Sequence, residues 1–383
     1  MNNKKIVGLM VAAAACSSNS WATQGTHLVG YGAKAQSMGG ASVAYPQDAI
    51  AAANNPAGMA LVGNRVDADV QIIYASADLE LGSAENKHSG SIVVPIPEFG
   101  ANYQLTPNIT IGVSTYASGV GFKYDDPVLP IPGLRRARGT LSQVDILPTI
   151  TYKFENGLAL GLSLVYGIQK FNVQGLPGPF PGGQNEDFGT EKAYGHSWKA
   201  GALWSFDNGF AVGASYKPKM KMSELSGYKD ELLSGSGGSI DSPGSYALGI
   251  KQKFNEKWTA ALDYEHISWS NVDAFAVGFG WRDQDLVKLG VEYNYSNDWQ
   301  FRAGVSHGRL HTTGKYANPN FLLVGINSTA LTAGATRKIS ENGEINITAE
   351  YDYGTTLDGS GPSEGTKLDA DMYTLTVGYG WKF

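Results

Sequence analysis

Large apolar side chains recur at every second position along most of this chain. Between Leu158, Leu160, Leu162, Leu164, Tyr166 and Ile168 stand the small residues Ala159, Gly161, Ser163 and Gly167. A period of two is that of a β-strand with one face in an apolar medium. The alternation recurs at Val144, Ile146, Ile150, Tyr152 and Phe154, at Tyr246, Leu248, Ile250 and Phe254, and at Val287, Leu289, Val291, Tyr293 and Tyr295. It returns at Ile345, Ile347, Ala349, Tyr351 and Tyr353. Charges occupy the other parity: Lys153, Lys199, Lys251, Asp263, Lys288, Glu292, Arg302 and Glu350. One face is therefore greasy and the other wet.

Short polar turns fall at residues 106–108, 155–157, 207–209, 255–257, 296–298 and 341–343, several with the Asn-Gly chemistry of tight hairpins. Between them lie long connections, approximately 78–94, 124–140, 174–193, 222–243, 270–285, 308–327 and 354–371. Thirteen connections imply about fourteen antiparallel strands with both ends of the wall on the short-turn side. Tyr103, Phe154, Trp204, Phe206, Phe254, Trp258, Tyr295, Trp299 and Phe301 flank the short turns, as rings at a lipid headgroup level would. The last strand alternates through Tyr373, Leu375, Val377, Tyr379 and Trp381 to the terminal Phe383. A soluble sheet edge of this kind would invite aggregation. The pattern predicts an all-β transmembrane fold, an outer-membrane β-barrel over residues 64–383.

Composition agrees. Glycine accounts for 49 of 383 residues and aromatics for 11%, and past the leader no run approaches the roughly 18 apolar residues of a membrane helix. Lys4 and Lys5, the apolar run Ile6 to Ala15 and Ser20-Trp21-Ala22 read as a secretory signal peptide over residues 1–22. The only cysteine, Cys16, lies within it, so the mature chain needs no disulfide. A formal charge of −6 without a basic cluster beyond Arg135, Arg136 and Arg138 argues against nucleic acid. The six histidines are scattered, and neither a Gly-x-Ser-x-Gly elbow nor an HExxH pair occurs. No catalytic residue, metal ligand or cofactor is expected. The carboxylate pairs Asp67/Asp69, Glu350/Asp352 and Asp369/Asp371 share strand faces and are expected to hydrate the lumen or hold divalent ions at the lipopolysaccharide level.

Residues 30–63 break the pattern. This stretch is rich in Ala and Gly, and apart from tyrosines only Lys34 and Asp48 can ionise. Small side chains allow close backbone packing, which suits a compact plug. A helical run over 47–53 should stop at Asn55, which Pro56 biases toward an extended conformation. The order Met38-Gly39-Gly40-Ala41, Pro46-Gln47-Asp48-Ala49, Asn55-Pro56-Ala57 resembles the N-terminal hatch of the FadL/TodX family, outer-membrane channels for long-chain fatty acids and aromatic hydrocarbons.

The resemblance implies that residues 23–63 plug the lumen, with Gly39, Gly40, Asn55, Pro56 and Ala57 holding the hatch, and that a monomer takes up hydrophobic molecules passively across the Gram-negative outer membrane. It also implies capture by an apolar groove among the loops, passage to an interior pocket and lateral release beside a kinked third strand. Gly119, Gly121 and Phe122 are the kink candidates, since glycines weaken a ladder. For the groove, Leu176 and Phe180, together with Met222, Leu225, Tyr228, Leu232 and Leu233 on a short amphipathic helix, carry apolar surface that a wet loop does not need. The same residues could equally pack the loops on one another. Expected partners are a fatty acid, hydrocarbon or detergent as ligand, membrane lipid and lipopolysaccharide, and the barrel assembly machinery through Phe383. An aromatic-hydrocarbon channel of the same family, or a general diffusion porin, remains the alternative.

Overall fold

The computed structural model describes residues 24–176 and 189–383. The leader and the Pro177–Pro181 part of one loop, Phe180 included, lie outside the described residues. The wall consists of β1 (Arg65–Glu80), β2 (Lys87–Gln104), β3 (Ile109–Lys123), β4 (Arg138–Lys153), β5 (Leu158–Gln174), β6 (Thr190–Ser205) and β7 (Phe210–Lys217). It continues through β8 (Ser245–Lys253), β9 (Trp258–Ile267), β10 (Gln284–Asn294), β11 (Trp299–Gly308), β12 (Thr329–Lys338), β13 (Gly343–Tyr353) and β15 (Lys367–Lys382), with the two-residue β14 (Leu357–Asp358) in the last loop. Each wall strand pairs antiparallel with the next. β1 closes the circle on β15 in unbroken register from Arg65↔Lys382 to Glu80↔Lys367. Closing the sheet on itself removes its free edges, the condition for crossing a bilayer. The first connection is shorter than its polarity suggested: β1 and β2 run on past the membrane and leave only 81–86 between them.

The outward face carries Leu164, Leu248, Val287, Ile347 and Leu375 exposed, and the Trp, Tyr and Phe side chains near the short turns stand outward as well. In water such a surface would drive aggregation; in hydrocarbon it matches its solvent. Lys199, Asp263, Lys288, Glu292, Arg302 and Glu350 face inward and are buried.

Residues 24–63 fill the interior. α1 (Ala33–Ser37) packs against β11, β12, β13 and β15, and short turns at Ala51–Ala53 and Pro56–Gly58 lead into α2 (Met59–Val62) and the wall. The helical run expected over 47–53 is reduced to the Ala51–Ala53 turn. Asn55 has φ −145° and ψ 113°, extended as a residue before proline should be. Gly39 and Gly40 both hold positive φ, and a Cβ on Gly40 would stand 1.9 Å from the Val29 carbonyl oxygen.

Contact between plug and wall is backbone against backbone. At the lumen-facing glycines 100, 161, 201, 213, 290 and 304, a Cβ would fall 1.9 to 2.4 Å from plug atoms of Ala49, Ala57, Asn55, Val43, Met38 and Gly39 respectively. A belt of missing side chains thus receives the plug. Wall carboxylates complete the grip: Asp67 accepts from the Ala49 N–H (2.8 Å), Asp69 from Ala33 (2.7 Å), Glu98 from Gly32 (2.9 Å), and Asp263 from both Ser42 (2.6 Å) and Val43 (2.8 Å). Charge-assisted bonds in a dry site are the strong kind. The expectation that Asp67 and Asp69 hydrate the lumen is corrected here, because plug amides take the place of water. At the short-turn end, Gln47 ties plug to wall: its carbonyl accepts from Lys34 and Arg65, and its side-chain oxygen from Arg302. Lys34 and Arg65 both meet Glu344, at 2.5 and 2.6 Å.

Candidate functional site: an unpaired strand, a strap and an apolar groove

One ladder in the circle is incomplete. β3 pairs with β4 along its whole length, from Ile109↔Tyr152 to Lys123↔Arg138. With β2 it pairs only from Gln104↔Thr110 to Phe99↔Thr115. Above that point the two strands separate, although β2 stays in register with β1 throughout. The nine residues Ser114–Phe122 are all buried, on both strand faces. β3 has therefore left the lipid surface and bends inward.

The cause is legible in β2. The Gln104 N–H bonds Asn64 on the β1 side and the Leu105 N–H bonds Ile109 on the β3 side. Odd-numbered residues of β2 therefore aim their donors at β3. Pro95 and Pro97 fall on that parity and have no donor, so the ladder fails where it meets them. On β3, Gly121 has φ +155°, and a Cβ there would stand 2.2 Å from the Gly139 carbonyl oxygen, so the bent strand lies tight on β4. Phe122 packs edge-on against Tyr124 (5.1 Å), inward of the opening. The strands meet again only above it, where the Asp125 N–H reaches the Ser89 carbonyl (3.0 Å).

The N-terminal strap, residues 24–29, crosses the lumen behind this opening. The N–H of Gly119, unused by β2, donates to the Thr26 carbonyl at 2.8 Å. Gln24 donates to Ser306 Oγ (2.7 Å) and Lys288 Nζ to the Val29 carbonyl (3.0 Å). Tyr31 lies on Tyr116 of β3 at 4.1 Å. Beside the strap is a cavity of about 30 Å³ lined by His27, Tyr31, Lys199, Asp263, Glu265 and Lys288, room for one or two waters. Its charges are engaged: Lys199 donates to the Ala53 carbonyl and Lys288 to Glu265 at 2.7 Å. Burial pushes the His27 imidazole down to about 3, so it is neutral at working pH.

Above the strap, the long connections enclose an apolar cavity of about 290 Å³. One wall is α3 (Asp273–Gly278) and the following Phe279. The segment 319–323 that closes α4 (Ala317–Asn320) also lines it, together with Phe171, Val173, Leu176, Leu232, Leu233 and Ile240. Among the described residues Asp273 is its one ionisable lining group, and Val277 and Leu232 stand exposed at the lip. Of the residues named from sequence, Leu176, Leu232 and Leu233 come together here, while Phe180 lies outside the described residues. Met222, Leu225 and Tyr228 do not line the cavity. They are buried beneath it, Tyr228 donating to the Gly189 carbonyl (2.6 Å) and meeting Phe171 edge-on (4.8 Å). Nor is there a helix: Met220 and Met222 make β-bridges to Ser242 and Gly195, and turns follow. In the plug, Asn55 donates to the Val43 (2.7 Å) and Ala202 (3.1 Å) carbonyls and accepts from the Ala57 N–H (3.1 Å), while Pro56 and Ala57 sit against Gly161.

The chain is similar to several solved structures. The Pseudomonas putida toluene transporter TodX matches at TM-score 0.72 with 17% identity, covering 94% of this chain and 100% of that one. The Ralstonia pickettii toluene transporter TbuX gives 0.69, with 16% identity over 93% and 99% of the two chains. A Pseudomonas aeruginosa FadL homologue gives 0.67, with 15% identity over 94% and 100%. Among curated proteins, the long-chain fatty acid transport protein of Escherichia coli O6:H1 (strain CFT073) is 22% identical over 224 residues, 49% of each chain, so the chain spans about half the length of the relative it matches. The profile of the family described as "Outer membrane protein transport protein (OMPP1/FadL/TodX)" matches residues 9–356. This plugged β-barrel of the outer membrane belongs to that family of transporters for hydrophobic compounds.

Proposed function

We propose that this protein takes up small hydrophobic molecules from the cell exterior and releases them sideways into the outer membrane through the opening between β2 and β3. The observation that carries this reading is the failed ladder above Phe99↔Thr115, where the strap takes the Gly119 N–H that β2 leaves unpaired. Hydrophobic cargo has reason to leave there: each methylene gains about 0.8 kcal/mol on leaving water, and hydrocarbon lies directly outside. The cavity among the loops supplies the capture site. Among the described residues Asp273 is the one ionisable group lining it, and none of them offers a cation to a carboxylate, which favours neutral hydrocarbons over fatty acids as cargo. The chain acts as a monomer, performs no chemistry on what it carries, and is addressed to the assembly machinery by Phe383. The lumen does not serve as a diffusion pore, since the plug is fixed to the wall by backbone contacts and by the Gln47 knot.

A reversible lock tests the reading. The 2.8 Å contact between the Gly119 nitrogen and the Thr26 oxygen brings their Cα atoms close enough for a disulfide, which spans roughly 4.4–6.8 Å. The mature chain contributes no other cysteine. In the double variant Thr26→Cys/Gly119→Cys, uptake of toluene by whole cells should fall to background on oxidation and recover on reduction. Uptake that continues at full rate through the oxidised protein would remove lateral release past the strap.

A further inference from the structure

On the lipid-facing side of β5 and β6 two lysines oppose one another: Lys170 pairs directly with Lys192 in the ladder. Even-numbered residues of both strands face outward. Leu164, Tyr166, Tyr194 and Trp198 stand exposed, while Val165, Gly167, Ala193 and Lys199 between them are buried. Lys170 and Lys192 share the outward parity. Side chains directly opposite on neighbouring strands have Cβ atoms about 4.5–5.5 Å apart, and like charges so placed are destabilising. Among the described residues neither ammonium is held in a hydrogen bond or ion pair. The carboxylates that flank them are engaged elsewhere. Glu191 accepts from the Gly227 N–H (2.8 Å) and Glu224 from Lys229 (2.7 Å), while Asp241 accepts from the Met222 N–H (3.0 Å) and pairs with Lys219 (3.3 Å).

The pair also has a defined height. It lies about twelve residues up the ladder from Leu158↔Trp204, beside the short turn. At about 3.4 Å per residue and a strand tilt of about 40°, the rise is about 30 Å, against about 25 Å for the apolar band of an outer-membrane barrel. The lysines therefore stand just above the hydrocarbon, with Tyr194 at its upper edge. Lys221 extends the patch onto the next segment. Met222 bridges Gly195 and both Met220 and Met222 are buried, so Lys221 between them stands exposed on the outer face beside His196. His196 is about four residues down β6 from Lys192, a span of about 14 Å. The rim is not basic everywhere: on β1 and β15, Asp78 opposes Asp369.

We infer that the outer face of β5, β6 and the segment 219–223 binds a phosphate-bearing glycolipid of the outer leaflet, of the lipopolysaccharide class, with Lys170 and Lys192 gripping a phosphate between them. A phosphate there converts a repulsion into two charge-assisted bonds. Directly below, Leu160, Leu162, Leu164 and Tyr166 form an exposed apolar stripe that receives acyl chains, which a free anion lacks. Lys221 adds a third cation for a second phosphate or an acidic sugar. On its inner face the same stretch of β5 carries Phe171 and Val173 of the apolar cavity, so the lipid braces that cavity's wall from outside. Lipid held there does not depend on what the cavity carries.

Native mass spectrometry of the full-length protein in detergent tests the site, with bis-phosphorylated lipid A, the same lipid dephosphorylated, and inorganic phosphate as probes. The phosphorylated lipid should bind about tenfold tighter than the dephosphorylated form, the equivalent of one charge-assisted contact. Lys170→Gln/Lys192→Gln should abolish that preference and Lys170→Arg/Lys192→Arg should keep it. Lys257→Gln, at a short turn on the opposite rim, should leave it unchanged. The Gln pair also relieves the repulsion, so without lipid it should unfold no earlier than the parent, and lipid A should raise the unfolding temperature of the parent alone. Equal affinity for the two lipid forms, or an undiminished preference in the Gln pair, overturns the site and leaves the uptake reading intact. Inorganic phosphate bound as tightly as the lipid makes this a free-anion site and overturns the lipid as occupant. Binding that disappears in EDTA assigns the contact to a divalent bridge on carboxylates such as Asp78 and Asp369, and overturns the role of the lysines.

Discussion

Replacing Asn55 by alanine should detach the plug without unfolding the wall. Asn55 is 1% exposed, and its side chain makes three bonds: donors to the Val43 and Ala202 carbonyls, and an acceptor for the Ala57 N–H that caps the Pro56–Gly58 turn. Alanine leaves the Ala57 N–H buried and unpaired, at a cost of about 1–3 kcal/mol, and forfeits two further bonds of about 1 kcal/mol each. The Ala202 carbonyl lies on a wall strand paired on both sides, so its share is discounted. A net loss of about 3 kcal/mol in plug attachment corresponds to about a hundredfold rise in the detached population. Hydrogen exchange reads this directly: amides of residues 43–58 should exchange about a hundredfold faster, while those of β8 to β13 stay unchanged, and planar-bilayer recordings should show intermittent open-pore conductance. Asn55→Ser keeps the cap acceptor and loses only the donors, so about tenfold is expected. Plug exchange within threefold of the parent in Asn55→Ala would refute the assignment of Asn55 as the fastening residue.

Two further outcomes follow from the loops. Val277, 66% exposed at the lip of the apolar cavity, becomes a charge in Val277→Glu; half-saturation of uptake should shift to higher cargo concentration with the maximal rate retained, and an unchanged concentration dependence would remove the cavity from the pathway. Burial, with Arg282 adding to it, holds the His311 imidazole down at about 3, well below its unfolded value of about 6.5. The unfolded loop therefore binds a proton that the folded loop refuses, and stability is complete above about pH 6.5 and falls as pH drops toward 3. By pH 5 the loss is about 2 kcal/mol, visible as extra exchange in residues 269–281 and 309–323 after correction for intrinsic rates. His311→Phe should halve the slope, the remainder belonging to His27; a flat profile in the parent would contradict the reasoning.

Much of the architecture could be read from the alternation, because two different solvents touch the two faces of every strand and a period of two has no other cause over such length. Asn55 was readable through the proline that follows it. The opening was half visible. Gly119 and Gly121 drew attention, but the stronger signal was Pro95 and Pro97, two missing donors on one parity of β2, hidden because the apolar pattern continues through them. Strand glycines such as Gly161 and Gly213 carry no signal of their own, since one sequence does not reveal what lies opposite a missing side chain. Met222, Leu225 and Tyr228 were legible only as apolar residues in a loop: local spacing cannot distinguish a groove lining from a small core buried beneath it.

The glycine belt bears on how such a protein can change over time. Where a wall meets its plug through side chains, a poor fit can be repaired one rotamer at a time. Here recognition is written in absences, with Gly201 under Asn55 and Gly304 under Gly39, and an absence has nothing left to trim. A plug borrowed from a relative, with its turns displaced by one residue, would meet side chains where it needs gaps. Plug and wall are therefore inherited as a matched pair, and new cargo preferences have freer ground in the loops above, where Leu232 and Val277 stand at the lip.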